Sequence, residues 1–280
     1  MYRILSLESF VDLLHNKRER YVRPSTWEDT FEGYLFSKIY DSSEQKKLIE
    51  DIYFNVCPRN YESTINNILK LEHSKWFVYG QCWSTEADSD AMWRIYSYGN
   101  HSIQIQTTEK RIKDMLSQEE GIRYCIENVK YDVSPKDDLL HKQVMQLKDT
   151  QKPYEPFLHK RRAFKHENEK RVLIDDMNWF SMTKLSSMGA NWKISEQVAA
   201  MNNDEEIIKA ISDRLSQYLN QWKTDTLPNE FYVESIDLKK YITGVKVNPF
   251  AEDWYVKLIA DLCKEYGIKF NGRSKLYKLD

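Results

Sequence analysis

The sequence predicts an α+β fold built on a mainly antiparallel sheet, and three observations lead there. Strand-like and helix-like segments are interspersed without the regular alternation that makes a parallel, doubly wound sheet. Ser102-Ile103-Gln104-Ile105-Gln106-Thr107 alternates apolar and polar residues, the pattern of a half-buried strand. Only 8 glycines occur in 280 residues, and none falls into a G-x-G-x-x-G or G-x-x-x-x-G-K loop.

Taken in order, Tyr2 to Leu5 reads as a first strand. Ser6 or Ser9 then caps a helix carrying Phe10, Leu13 and Leu14 at helical spacing. Pro24 closes the next segment, Tyr21-Val22-Arg23, because its ring fixes φ. Residues 44–72 read as two amphipathic helices broken at Pro58. Lys75 to Ser84 reads as a strand rich in β-formers. Asp88 and Asp90 are expected to cap a helix through Tyr96. Residues 122–133 read as one strand, 137–162 as helix interrupted at Pro153 and Pro156, and 169–174 as strand. Residues 176–229 read as a helical insertion ending in a helix capped by Asp204, with Ile207, Ile208, Ile211, Leu215, Tyr218 and Leu219 on one face. A strand at 243–247, a helix at 251–266 closed by Gly267, and Ile268-Lys269-Phe270 finish the chain. No repeat or low-complexity linker interrupts this order, so a single α+β domain over 1–280 is expected.

Composition narrows the function classes. The 41 basic and 43 acidic residues leave a net charge of -2, which argues against a protein that grips nucleic acid by bulk positive field. Cys57, Cys82, Cys125 and Cys263 are far apart, so neither a C-x-x-C metal site nor a disulfide framework is expected. Six histidines include no H-x-x-x-H pair, so no metal is expected, and only His166 lies beside other candidate groups. The start of the chain has no signal-peptide pattern and no apolar run is long enough to cross a bilayer, so a cytoplasmic protein without a membrane partner is expected.

Two runs place polar groups inside otherwise apolar segments, where local rules break and sites concentrate. The first is Gly80-Gln81-Cys82-Trp83-Ser84-Thr85, followed by Asp88-Ser89-Asp90-Ala91-Met92-Trp93-Arg94-Ile95-Tyr96. Ser84 and Thr85 offer hydroxyls at a strand end, and Trp93 and Tyr96 offer rings for stacking. Taken singly, each aromatic is better explained by core packing than by ligand contact. The second run is Phe164-Lys165-His166-Glu167-Asn168-Glu169-Lys170-Arg171. On a strand, Glu167, Glu169 and Arg171 share a face, and two like charges side by side repel unless something uses them. A neutralised surface strand is the bland alternative, with Arg171 paired to Glu169. The neighbouring Lys160, Arg161, Arg162, Lys165 and Lys170 suit a phosphate or a solvated face.

Tyr2-Arg3, the run Trp27 to Glu32, Cys82-Trp83-Ser84, Met92-Trp93 to Tyr96, Val129-Lys130-Tyr131 and Phe164…Glu167-x-Glu169-x-Arg171 together resemble a widespread bacterial family, domain of unknown function 2971. The chain departs from that pattern at Ile95, where a histidine usually precedes the tyrosine. A second resemblance supplies a chemistry. Arg on a first strand, Ser-Thr after an aromatic on a later one, and Glu-x-Glu on a still later one is similar to ADP-ribosyltransferases of the Arg–Ser–Glu type. That likeness implies NAD as substrate, with Arg3 on its phosphates and Ser84 and Thr85 at the nicotinamide side. Trp93 or Tyr96 would stack on the departing ring. Glu169 would bind the ribose and stabilise its developing cation, and Glu167 would orient or deprotonate the acceptor. Arg3, Ser84, Trp93 and Glu169 are then expected in one pocket, and Glu169→Gln is expected to leave stability nearly unchanged. The implied protein is a toxin or phage-defence effector acting on nucleic acid or protein, with a neutralising antitoxin as a partner. The competing readings are a non-catalytic domain that senses a nucleotide or phage component, and a metal-dependent hydrolase or nuclease built on Glu167, Glu169 and Asp88 or Asp90.

Overall fold

The computed structural model describes residues 1–29, 42–56, 74–97, 99–133, 154–176, 198, 201–221 and 228–277. Among the described residues the chain forms a nine-stranded, mainly antiparallel sheet with helices on both faces, and a separate two-stranded pair. The α+β expectation is met.

The strand β1 (Tyr2–Ser6) pairs along its length with β4 (Ser102–Gln106), which pairs with β10 (Gly244–Val247). β11 (Phe270–Arg273) joins β10 in the one parallel contact of the large sheet among the described strands. On the other side β3 (Val78–Ser84) pairs with β8 (Glu169–Asp176) from Val78↔Asp175 to Ser84↔Glu169, and β8 pairs with β5 (Ile122–Asn128). The remaining edge of β3 is divided. Its end meets β1 at Tyr2↔Ser84, whereas its middle meets β2 (Glu19–Val22) at Val22↔Gly80. β2 continues to β9 (Glu230–Val233). The sheet therefore splits along β3, with β1 diverging to one side and β2 to the other.

Each face carries its own core. Helices Leu7–Asn16, Glu109–Leu116 and Asp253–Glu265 pack Phe10, Leu14, Ile112, Tyr255 and Ile259 against Trp83, Ile105, Val172, Ile174 and Val245. On the opposite face, helices Ser42–Asp51 and Asp204–Gln221 pack Leu48, Ile49, Ile208, Ile211, Leu215 and Leu219 against Val78, Phe157 and Leu173. The continuous apolar run Val172-Leu173-Ile174 follows from this. Successive side chains of a strand point to opposite faces, and here both faces are buried. The same reason buries Gln104 on β4, which the sequence pattern reads as half-exposed. The helix Asp204–Gln221 shares its core with the sheet rather than forming one of its own.

Several local expectations change. Ser6 caps the first helix by accepting a hydrogen bond from the Ser9 amide. Ser89, not Asp88 or Asp90, caps the helix Asp90–Tyr96, and Asn203 rather than Asp204 accepts from the Glu205 amide. Residues 122–133 are two strands, because the Val129 and Lys130 amides turn away to Glu169 and Leu158 carbonyls. Within 137–162 the described part is a turn at Glu155–Phe157 and a strand β7 (His159–Arg161) paired with β6 (Lys130–Val133), not helix. The strand expected from Lys75 begins at Val78. β2 and β9 are four residues each, too short for the sequence pattern to reveal. The expectations for 57–73, 134–153 and 199–200, for most of 176–197, and for Thr30 to Glu32 lie outside the described residues. No described helix is long and apolar enough to cross a membrane.

Candidate functional site

The second polar run does not form a continuous strand. Residues Arg162–Glu167 make a 3-10 turn, Asn168 takes a left-handed conformation at φ 42°, and β8 starts at Glu169. Glu167 thus approaches Glu169 from a turn, not from the same strand face. Both carboxylates are buried, with 4% exposure each. The expectation of a solvated surface strand is overturned by that burial.

What holds the two carboxylates together is a cation from β7, a strand of the separate two-stranded pair. Lys160 Nζ on β7 donates to Glu167 Oε2 at 2.6 Å and to Glu169 Oε2 at 3.1 Å. Arg171, fully buried, donates from Nε to Glu169 Oε1 at 2.7 Å, from a terminal nitrogen to Oε2 at 3.3 Å, and to the Phe157 carbonyl at 2.5 Å. Glu167, Lys160, Glu169 and Arg171 thus form a connected chain of charged side chains. Burial alone would push the Glu169 carboxyl up, but Arg171, then Lys160 and the Cys82 thiol, outweigh it and hold Glu169 well below the usual carboxylate range. Glu169 is an anion at neutral pH.

The first polar run delivers its end to the same place. Ser84 stands opposite Glu169 in the β3–β8 register, and its hydroxyl donates to the Glu167 carbonyl at 2.8 Å. Thr85 Oγ1 donates to the Asn168 carbonyl at 3.1 Å. Tyr96, at the end of its helix, keeps its ring half-exposed while its hydroxyl donates to Glu167 Oε1 at 2.8 Å. Burial and then Glu167 push the Tyr96 phenol well up, so it remains a neutral donor. Tyr131 Oη accepts from the Glu169 amide at 2.7 Å.

Aromatic rings cover the cations. The Arg171 guanidinium lies 4.4 Å from the Trp27 ring and Lys160 Nζ lies 4.7 Å from that of Phe164. Gly80 allows the first of these. A Cβ there would come within 2.7 Å of Leu173 Cδ2 and 2.8 Å of the Trp27 ring, so only glycine lets Trp27 lie close to β3.

Arg3 and Trp93 are placed differently. Arg3 points to the Trp83 side of the sheet, opposite to Glu169, with its guanidinium 4.8 Å from the Trp83 ring and donating to both Glu19 oxygens at 2.9 and 2.8 Å. Trp93 is buried and donates to Asp88 at 2.6 Å. A crevice of about 460 Å³ opens where β1 and β2 diverge from β3, and Arg3, Glu19, Trp27, Gly80, Gln81 and Cys82 are among its walls. Ser84, Trp93 and Glu169 are not among them, so the single pocket expected of Arg3, Ser84, Trp93 and Glu169 does not form: Arg3 takes the opposite face of the sheet and Trp93 is buried against Asp88. Cys82 links the two regions, since it lines the crevice and its thiol lies against Glu169. Asp88 is tied to Trp93, Ser274 and Lys246, and Asp90 to Arg94. Among the described residues no three His, Cys, Asp or Glu side chains converge as a metal site, and the cation between Glu167 and Glu169 is the Lys160 ammonium.

A second charged cluster anchors β7 next to Lys160. His159, almost fully buried, has Nδ1 at 2.8 Å from Asp132 and Nε2 at 3.1 Å from Glu155, which also pairs with Lys130. The His159 hydrogen bond, opposed by burial and helped by Lys130, holds the Glu155 carboxyl down to about 2. A carboxyl depressed on folding contributes stability that is present above its ordinary range and is lost as pH falls through its folded value. Glu155→Gln is therefore expected to lower the urea midpoint at pH 7 and to flatten its decline between about pH 4.5 and 2. An unchanged midpoint at pH 7 would remove this pair from the account of β7.

The sequence brought Ser84, Thr85, Tyr96, Glu167 and Glu169 into consideration, and these meet in space. Tyr131 and Trp27 had no assigned role, and Lys160, read as part of a basic stretch suiting a phosphate or a solvated face, is instead buried between the two carboxylates. Lys160 lies seven and nine residues before its partners across a turn, so no helical or strand period connects them. Residues 92–172 match a family model described as a protein of unknown function (DUF2971), a span that holds Tyr96, Lys160, Glu167, Glu169 and Arg171 but is less than half of the chain. No curated protein and no solved structure matches the chain.

Proposed function

We propose that this protein is an NAD-dependent ADP-ribosyltransferase. One observation carries the reading. The strands bearing Arg3, Ser84 and Glu169 are immediate neighbours through the registers Tyr2↔Ser84 and Ser84↔Glu169, and although Arg3 and Glu169 face opposite sides of the sheet, Cys82 both lines the crevice beside Arg3 and lies against Glu169. In this reading NAD occupies that crevice and its nicotinamide ribose reaches Glu169 past Cys82. The glycosidic C–N bond breaks, the electron pair leaves with nicotinamide, and positive charge develops on the sugar. A carboxylate already held ionised stabilises that charge without reorganising. The acceptor nucleophile then bonds to the sugar carbon and gives its proton to Glu167, which Tyr96 orients. Arg3 is balanced by Glu19, so it offers hydrogen bonds to the crevice rather than net charge.

A second reading has its own support. Glu169 is nearly buried and matched by Arg171 and Lys160, as suits a recognition domain in which the crevice binds a nucleotide without reaction. Incubation with NAD labelled in the adenosine half, together with total RNA, DNA and protein, separates the two. Transfer of label to one of these with release of nicotinamide is expected. Saturable NAD binding without release would support recognition instead, and neither binding nor release would end the NAD assignment.

A further inference from the structure

We propose that Lys160 is a positioning residue for the carboxylate pair, setting the charge and separation of Glu167 and Glu169 without itself meeting substrate. The proposal deepens the transferase reading and rests on it for its kinetic consequence. Its structural basis is independent. Lys160 Nζ is the atom that contacts both side chains, at 2.6 and 3.1 Å, whereas Arg171 contacts Glu169 but not Glu167 through any hydrogen bond described. The ammonium is itself 7% exposed and flanked by the Phe164 ring, so its position is fixed by packing as well as by charge.

A buried ion network of this size is poor economy as a stabilising device. Desolvating several charges offsets most of their attraction, and well-packed apolar residues commonly do as well. Such arrangements shift protonation states, and they gather at sites that need particular ones. Two carboxylates with different tasks need different surroundings. Here Glu169 has Arg171, Lys160 and the Cys82 thiol around it, and Glu167 has Lys160 and the Tyr96 hydroxyl. Lys160 is the member common to both. Its removal leaves Glu169 with Arg171 but exposes it to the uncompensated charge of Glu167, and the two side chains lose the atom that fixes their spacing. Lys160 is also anchored through the adjacent His159, so its strand is held from both sides of the chain.

The test compares wild type with Lys160→Arg and Lys160→Met, using carbon-13 NMR of glutamate carboxyls and steady-state kinetics. The Glu169 signal is expected to titrate below the ordinary carboxyl range in wild type and to move up by on the order of one pH unit in Lys160→Met. Lys160→Arg should retain most of the wild-type position. In the kinetics, kcat should fall tenfold or more in Lys160→Met with KM for NAD changed little, and the acid limb of the pH profile should move up with the Glu169 signal. An unshifted Glu169 titration in folded Lys160→Met overturns the proposal. So does a Glu169 that titrates in the ordinary range in wild type, a result that needs no variant to fold. Wild type that releases no nicotinamide ends the transferase reading, while the NMR titration still decides the role of Lys160.

Discussion

Glu169→Gln is expected to reduce nicotinamide release by a hundredfold or more. The substitution keeps side-chain size and one acceptor oxygen but removes the negative charge from the point where a ribosyl cation would form. Loss of one preorganised electrostatic contact of this kind costs about 3–4 kcal/mol in the transition state, which corresponds to that factor in rate. The ground state should be less affected, so the loss should fall mainly on kcat. Stability must be followed alongside. The sequence suggests that removing one of two adjacent carboxylates costs little, but Glu169 faces Arg171 and Lys160. Its neutralisation therefore leaves a buried excess of positive charge, and the melting temperature should fall too. A control separates the two effects. Ile259→Ala empties part of the core on the opposite face of the sheet and should cost roughly 2–5 kcal/mol of stability. Measured well below both melting transitions, Ile259→Ala should keep its turnover per folded molecule and Glu169→Gln should not. Equal turnover in wild type and folded Glu169→Gln would leave Glu169 as a structural group only.

The path from sequence to this site was readable where one element explains the pattern. The Ser102–Gln106 strand, the amphipathic helices and Gly267 at φ 67° as a helix terminator follow from local rules. Ser84, Tyr96, Glu167 and Glu169 were legible as candidates because polar groups stood where their neighbours demanded apolar ones. Their geometry was not legible. Asn168 in a left-handed conformation breaks the period of two that would have put Glu167 and Glu169 on one strand face. The 3-10 turn Arg162–Glu167 and its left-handed Asn168 cap replace the expected strand with a buried turn, and the one local signal for it is that asparagine favours the left-handed conformation. The same limit applies to Arg3. Its place on a first strand is clear from Tyr2 to Leu5, but which face it takes depends on how β1 pairs with the distant strands β4 and β3, which no local pattern shows. The partner that neutralises it, Glu19, lies on β2, a strand of four residues too short for the sequence pattern to reveal.

Arg171→Met should cost about 3–5 kcal/mol of stability. Methionine approximates the length of the arginine stem, so the change in packed volume is small and the cost is mainly electrostatic. Arg171 is fully buried and makes four stabilising contacts at once: two with the Glu169 carboxylate, one with the Phe157 carbonyl and one with the face of Trp27. Removing one partner of a buried ion pair leaves the other charge without compensation, which costs more than the pair contributed when whole. Glu169 would keep Lys160, but that ammonium is shared with Glu167, so two carboxylates would compete for one cation. The double substitution Arg171→Met with Glu169→Leu removes both charges. It should recover a substantial part of the loss, because an apolar pair restores the charge balance of the Lys160–Glu167 remainder and suits the neighbouring Leu173 and Phe157 core. Urea denaturation of the two single variants and the double variant measures this coupling directly. If the two single losses simply add in the double variant, Arg171 and Glu169 stabilise the fold independently, and the network drawn from their hydrogen bonds does not act as a unit.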